Sequence, residues 1–239
     1  MESFWEKDVP HVRFEVMKGN VSTDVLIIGG GIAGIMCAYE LKKAGVYCVL
    51  IEAKRICSGV TKNTTAKVTF QHGLIYNKII KKYGNGFAEK YYMANKNALE
   101  KIKILSERFP CHYEIKDSYV YSLYNEKILH KELGSLSEIG CKGEIIYNLH
   151  LPFKVSGAVK IENQGQFNPL QFLSGISKDL KIYENTKAVG FSPEYVLTDK
   201  GKIYAKNIVI ATHFPIINKH GGYFIKMYQH RSYVIALEN

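Results

Sequence analysis

The chain has 239 residues, 46% apolar and 23% charged, the balance of an ordinary globular protein rather than a disordered or fibrous one. Its length allows one large core or two interleaved lobes. The formal net charge is +10, yet the lysines are scattered (Lys42, Lys43, Lys78, Lys81, Lys82, Lys101, Lys103) and no RNA-binding or finger-type pattern accompanies them. A nucleic-acid partner is therefore not expected, and the basic surface is read as solvated or as suited to anionic small molecules.

Five cysteines (Cys37, Cys48, Cys57, Cys111, Cys141) stand singly, without a C-x-x-C pair, so neither a metal centre nor thioredoxin-like chemistry is expected. The odd count, and a start (Met1 to Glu6) without a basic region followed by an apolar stretch, lead to the expectation of a reducing cytoplasm. No apolar run approaches the about 18 residues that mark a membrane span, so no integral membrane segment is expected.

Residues 1–22 read as a loosely structured lead-in. Residues 23–28 (Thr-Asp-Val-Leu-Ile-Ile) read as a strand whose continuous apolar run suits a parallel position buried on both faces. Residues 32–44 read as a helix, with Ile35, Met36 and Tyr39 at helical spacing and Gly45 placed to end it in a left-handed cap. Residues 46–51 form a second buried strand, and 58–69 a polar loop rich in Thr, Ser and Lys. Helices are predicted over 74–83, 86–108 and 125–139. One or two short strands fall within the Tyr-rich stretch 113–124, with further strands at 144–147 and 155–161. Asn168 and Pro169 open a helix to Leu180, with Pro tolerated in its first turn. Short strands follow at 181–183, 187–191, 195–198 and 202–204, then a buried strand at 207–212.

The first of these junctions carries chemistry. Gly29-Gly30-Gly31-Ile32-Ala33-Gly34 follows a strand and opens a helix, and Glu52 stands at the end of the next strand. Those three features together make a dinucleotide fingerprint. Gly29 permits the tight turn, Gly31 leaves room for a pyrophosphate, and Gly34 allows close helix packing. The helix N-terminus offers free amides and a partial positive charge to the phosphates. A carboxylate at Glu52 can accept bonds from ribose hydroxyls. Lys54 and Arg55 follow it, so a 2′-phosphate is not fully excluded. The fingerprint alone does not separate FAD from NAD.

The segment Thr23 to Gly34 near the N-terminus resembles FAD-dependent oxidoreductases of the D-amino-acid oxidase superfamily, among them glycine oxidase, sarcosine oxidase and γ-glutamylputrescine oxidase. Ser58-Gly59-Val60-Thr61-Lys62-Asn63-Thr64-Thr65-Ala66-Lys67 resembles the family loop that runs past the pyrophosphate and flavin. Thr64-Thr65-Ala66-Lys67 with Gln71-His72-Gly73 is most similar to a bacterial subgroup that often carries a C-terminal Rieske domain. The resemblance implies an α/β fold. A Rossmann-like FAD/NAD(P)-binding domain with a parallel sheet is interleaved with an α+β substrate domain, incomplete here. The expected division is 1–80 and 161–215 for the FAD-binding domain, 81–160 for the substrate domain, and 216–239 for the start of its return. The implied cofactor-binding residues are Gly29, Gly31, Ile32, Ala33, Gly34, Glu52, Ala53, Lys54, Ser58, Gly59, Thr61, Thr64, Thr65, Ala66 and Lys67. They are joined by Val189 as an adenine contact and by Ala211 and Thr212 as a second approach to FAD. His213 stands where the family commonly has Gly, and Gln166 to Pro169 resembles the segment that returns to the FAD domain.

No catalytic acid or base is identifiable from these residues, and no metal-ligand spacing or Rieske ligand pair is present. Some relatives attach the flavin through a His in the region of His72, which is read here as a structural or flavin-facing residue instead. The implied activity is oxidation of a C–N bond of an amine or amino acid by hydride transfer to flavin N5, with an unidentified electron acceptor. Two alternatives stay open: a truncated FAD-binding fragment without independent catalysis, and an FAD/NAD(P)-fold reductase or hydroxylase. The implied partners are a small-molecule substrate and either a complementing C-terminal chain or a second copy of this chain.

Overall fold

The computed structural model describes residues 3–7, 9, 12–217, 222–228 and 230. In chain order the first elements are β1 (Val21–Ile28), α1 (Ile32–Lys43), β2 (Cys48–Ile51), β3 (Lys67–Val68), α2 (Tyr76–Tyr83) and α3 (Asn85–Arg108). Then come β4 (Glu114–Ser122), α4 (Glu126–Glu138), β5 (Glu144–Ile146), β6 (Gly157–Gln166) and α5 (Pro169–Ser177). The chain continues through β7 (Ile182–Tyr183), β8 (Ala188–Phe191), β9 (Val196–Thr198), β10 (Gly201–Ile210) and the short α6 (Tyr223–Lys226). Two 3₁₀ turns cover Phe4–Glu6 and Val60–Asn63. The expected return strand at 231–239 lies outside the described residues.

The chain divides into two compact units. One joins the residues up to Thr64 with those from Pro169 onward, and the other is Thr65–Asn168. From sequence the boundaries were expected at 80/81 and 160/161. Strand pairing accounts for the difference. β6 runs unbroken through residue 161 to Gln166 and pairs antiparallel with β3 at Lys67 and Val68, so both flanks belong to the second unit's sheet.

The first unit holds a six-stranded sheet in the order β7-β2-β1-β10-β9-β8. β7, β2, β1 and β10 are mutually parallel, while β9 and β8 return antiparallel. Leu26, Ile27, Val49, Leu50 and Ile51 are fully buried, as an apolar run covered on both faces requires. Each such side chain contributes roughly 1.5–3 kcal/mol of burial. The buried face of α1 is Gly34, Ile35 and Ala38; Met36 and Tyr39, also expected there, are only half-buried. The helix ends as expected. Gly45 has φ +76, its amide donates to Lys42 O (3.0 Å) and that of Val46 to Leu41 O (2.9 Å), the paired bonds of a Schellman motif. The two strands expected at 202–204 and 207–212 are one strand, β10, because β1 pairs with it from Val21↔Ile203 to Ile28↔Ile210. Local pattern could not reveal that long-range pairing.

In the second unit β6 is central, with β4 on one side and β5 and β3 on the other, all antiparallel. The Tyr-rich stretch forms a single strand, β4, with a register shift between Lys116 and Ser118. α2 begins at Tyr76 without a cap of its own. The carboxylate of Glu132, buried on α4, accepts from the amides of Tyr76 (2.8 Å) and Asn77 (3.0 Å). This supplies from a neighbouring helix the acceptor that a first turn needs. Tyr76 is fully buried and donates to Phe70 O (2.6 Å). Around it Phe70, Tyr91 and Tyr92 make edge-on ring contacts. Tyr92 is buried in this core, whereas Tyr119, Tyr121 and Tyr124 are exposed.

Candidate functional site

The turn from β1 into α1 exists because two side chains are missing. Gly29 has φ +114, and a Cβ there would lie 2.6 Å from Ala211 O at the end of β10. A Cβ on Gly34 would collide with Gly29 O, so the helix can start only this close to the turn with glycine at that position. The loop is pinned on several sides. Gly29 N donates to Ile51 O (2.9 Å), Cys57 N to Gly30 O (2.9 Å), and Ala211 N to Ile28 O (2.8 Å). Gly31 caps α1 with no side-chain hydrogen bond of its own. The hydroxyl of buried Thr61 instead accepts from Ile32 N (3.2 Å). Ile32 and Ala33 are exposed. The first-turn amides of α1 therefore sit at an open face with the positive end of the helix dipole behind them.

Glu52 closes the other side. Its Oε2 accepts from Gly30 N (2.7 Å) and its Oε1 from Lys54 N (2.9 Å). An ionised carboxylate has about four acceptor positions, so two remain for incoming hydroxyls. Ala53 and Lys54 are exposed beside it. The exit from β7 fastens this edge: Asn185 N donates to Lys54 O (2.8 Å) and Thr186 N to Glu52 O (2.9 Å). Buried Glu184 accepts from Ile56 N (2.8 Å) and Phe14 N (3.3 Å). The sequence carries no local signal that would have picked out Glu184. Burial, reinforced by the charges of Glu52 and Glu184, pushes the Cys57 thiol up to about 12.

The following loop is mostly exposed. Ser58 donates to Arg55 O (2.8 Å), and Asn63 Nδ2 to Gly59 O (3.2 Å). Ser58, Gly59 and Thr64 lie open, whereas Thr61 is buried. The lead-in expected to be loose carries an ordered turn against this loop. Ser3 Oγ donates to Lys62 O, Trp5 Nε1 to Thr64 O (2.7 Å), and Lys62 Nζ pairs with Glu6 (3.0 Å). The Ser-x-x-Glu spacing of Ser3 and Glu6 is the capping-box signal that could have revealed it.

The remaining expected residues are placed as follows. Thr65, Ala66 and Lys67 belong to the second unit; Ala66 is buried with φ +55, and Thr65 and Lys67 are exposed. Val189 is half-exposed at the register shift between Ala188 and Gly190 on the edge strand β8. No hydrogen bond among the described residues joins it to the glycine loop. Thr212 donates to Phe214 O (2.7 Å). His213, standing where a glycine is expected, has φ +64, the left-handed conformation that glycine adopts freely and other residues adopt at a cost. Cys57 (φ +58) and Asn185 (φ +48) share that conformation. In the second unit His72 Nδ1 lies 2.8 Å from Tyr91 Oη. Gln71 is buried, its Nε2 donating to Val159 O (3.0 Å).

Residues 24–239 match the FAD dependent oxidoreductase family. The chain belongs to that family. A Putative Rieske 2Fe-2S iron-sulfur protein YhfW of Bacillus subtilis (strain 168) is 36% identical over 99% of this chain and 49% of its own length. Gamma-glutamylputrescine oxidoreductase of Escherichia coli (strain K12) is 24% identical over 84% of this chain and 51% of its own. The chain thus spans about half the length of the curated relatives it matches. Among solved structures, L-proline dehydrogenase from P. horikoshii superposes with a TM-score of 0.67 at 22% identity, over 81% of this chain and 53% of that one. L-amino acid deaminase from Proteus vulgaris gives 0.63 at 19%, over 85% and 50%. At those identities the likeness is one of fold.

The family's cofactor is FAD, and the residues of the first unit fit it. The features that fit are the start of α1, whose Ile32 amide is held by Thr61, a glycine whose added Cβ would meet only Thr61 Oγ1 at 3.3 Å, and a carboxylate with acceptor positions left over. Among the described residues, no helix is long and apolar enough to cross a membrane.

Proposed function

We propose that this chain supplies the FAD cradle of an oxidoreductase that oxidises a C–N bond of an amine or amino acid. The observation that carries the proposal is the junction of Gly29–Gly34 with Glu52, which offers phosphate donors and hydroxyl acceptors on one loop system. In this reading Gly31, Ala33 and Gly34 present amides to the pyrophosphate, Ile32 flanks it with its own amide held by Thr61, and Glu52 accepts from the adenosine ribose. Ala53, Lys54, Ser58, Gly59, Thr61, Thr64, Thr65, Ala66 and Lys67 are assigned to the cofactor's flank, with Val189, Ala211 and Thr212. Residues 65–168 are read as the first part of the substrate domain. Bound flavin supplies the hydride acceptor at N5; the protein's part is to bind, orient and exclude water.

Support for an amine or amino-acid substrate comes from the relatives, which include an oxidoreductase named for γ-glutamylputrescine and structures titled as proline dehydrogenase and amino acid deaminase. Because the chain matches about half the length of those relatives, catalysis is proposed for the complete active site and the cradle for this chain. The five free thiols fit a reducing compartment. The test is anaerobic addition of amino acids and polyamines to the FAD-loaded protein. Bleaching of the flavin absorbance by one of them is expected. Absence of bleaching by any, with full reduction by dithionite, would leave a cradle without independent catalysis.

A further inference from the structure

The N-terminal turn is an ordered feature that lies outside the glycine fingerprint. Ser3–Glu6 is closed by its own hydrogen bonds. Ser3 N donates to Glu6 Oε2 (2.8 Å), Trp5 N to Ser3 Oγ (3.2 Å), and Glu6 N to Ser3 O (3.0 Å). These bonds make a reciprocal capping box. The Phe4 and Trp5 rings meet edge-on with centroids 5.1 Å apart.

Three bonds from this turn reach the stretch 62–64. Ser3 Oγ and Trp5 Nε1 both donate to backbone carbonyls there, those of Lys62 and Thr64, and Glu6 pairs with the Lys62 ammonium. Two of the three contacts therefore hold main chain, whatever side chains the loop carries. The loop needs such support, because Gly59, Val60, Asn63 and Thr64 are exposed and bury little apolar surface of their own. Within it sits Thr61, whose hydroxyl meets Ile32 N at the start of α1.

We propose that Ser3–Glu6 positions the cofactor loop: by fixing the carbonyls of Lys62 and Thr64 it holds Thr61 against the first turn of α1 before FAD arrives. Trp5 is then a positioning residue that acts on the cofactor through the loop and touches none of it. A loop ordered in advance spends less binding energy on becoming ordered. This inference rests on reading 58–64 as part of the FAD site.

The test is FAD affinity, measured by flavin fluorescence, together with the melting temperature of the FAD-free protein. Trp5→Phe keeps a ring against Phe4 and removes the donor to Thr64 O. Its FAD dissociation constant should rise about 5-fold, the worth of one net hydrogen bond. The FAD-free melting temperature should fall by no more than about 4 °C. Trypsin should cleave after Lys62 faster than in the parent. Glu6→Gln retains a carbonyl for the capping box and should bind within about 2-fold of the parent, whereas Glu6→Ala should lose about 5-fold.

Unchanged FAD affinity in Trp5→Phe and Glu6→Ala would overturn the proposal, as would a fall in melting temperature with affinity intact. Glu52→Arg separates the two readings. If Glu52→Arg weakens FAD binding and Trp5→Phe does not, the positioning role alone fails. If Glu52→Arg binds as the parent does, the cofactor reading itself fails. Should Trp5→Phe not fold, Ser3→Ala removes the other carbonyl clamp and carries the same expectation.

Discussion

Replacing Gly31 by Ala should separate folding from cofactor binding. Gly31 has φ −83 and ψ −176, a conformation open to any residue. An added Cβ meets only Thr61 Oγ1, at 3.3 Å, a contact that a shift of a few tenths of an ångström in that side chain relieves. The cost to the FAD-free protein is that of replacing glycine at a helix cap, about 0.5–1 kcal/mol, or roughly 1–4 °C in melting temperature. The cost to binding is larger, because the methyl stands where a phosphate must approach the amides. Each hydrogen bond to a charged group is worth about 1.5–3 kcal/mol, so losing one or two should raise the FAD dissociation constant about 100-fold. Thermal melts of the FAD-free protein and fluorescence titration with FAD measure the two effects separately. Gly34→Ala is the contrast: its Cβ collides with Gly29 O, so overpacking should cost about 1–3 kcal/mol before any cofactor is added. An unchanged FAD affinity in Gly31→Ala would refute the assignment of Gly31 to the phosphate.

In the second unit, Glu132→Ala removes the acceptor of two α2 amides from a buried position. It should cost about 3 kcal/mol and speed hydrogen exchange at Tyr76 and Asn77; unaltered exchange there would refute the capping role. Alkaline pH should also destabilise the protein. Burial raises the Cys57 thiol from 9.0 to about 12 and that of Cys111 from 9.0 to about 11. The folded chain therefore keeps protons that the unfolded chain loses. Their contribution is complete below pH 9 and declines as pH rises toward 11–12, by up to about 1.4 kcal/mol per pH unit for each thiol. Melts between pH 8 and 11 should lose part of this slope in Cys57→Ala and Cys111→Ala.

What could be read in advance was what neighbouring residues determine together. The strand-loop-helix of residues 23–44, its Schellman end at Gly45, and Glu52 at the next strand end all follow from local chemistry. Features set by distant partners were not legible. β10 is one strand because β1 pairs along its length, and the second unit begins at Thr65 because β3 pairs with β6. Glu132 caps a helix that starts 56 residues before it, and Glu184 bonds Ile56 across 128 residues. No spacing rule reaches that far. His213 is an intermediate case. Its departure from the expected glycine was visible in the sequence, whereas its left-handed φ of +64 was not.

The central claim is that Gly29–Gly34 and Glu52 together hold FAD. Titration of the purified, FAD-free chain with FAD, followed by flavin fluorescence, tests it most directly. The account predicts saturable binding of one FAD per chain, and a loss of affinity in Glu52→Arg from removal of the ribose acceptor and the bond to Gly30 N. Failure of the parent chain to take up FAD, or equal affinity in Glu52→Arg, would contradict it.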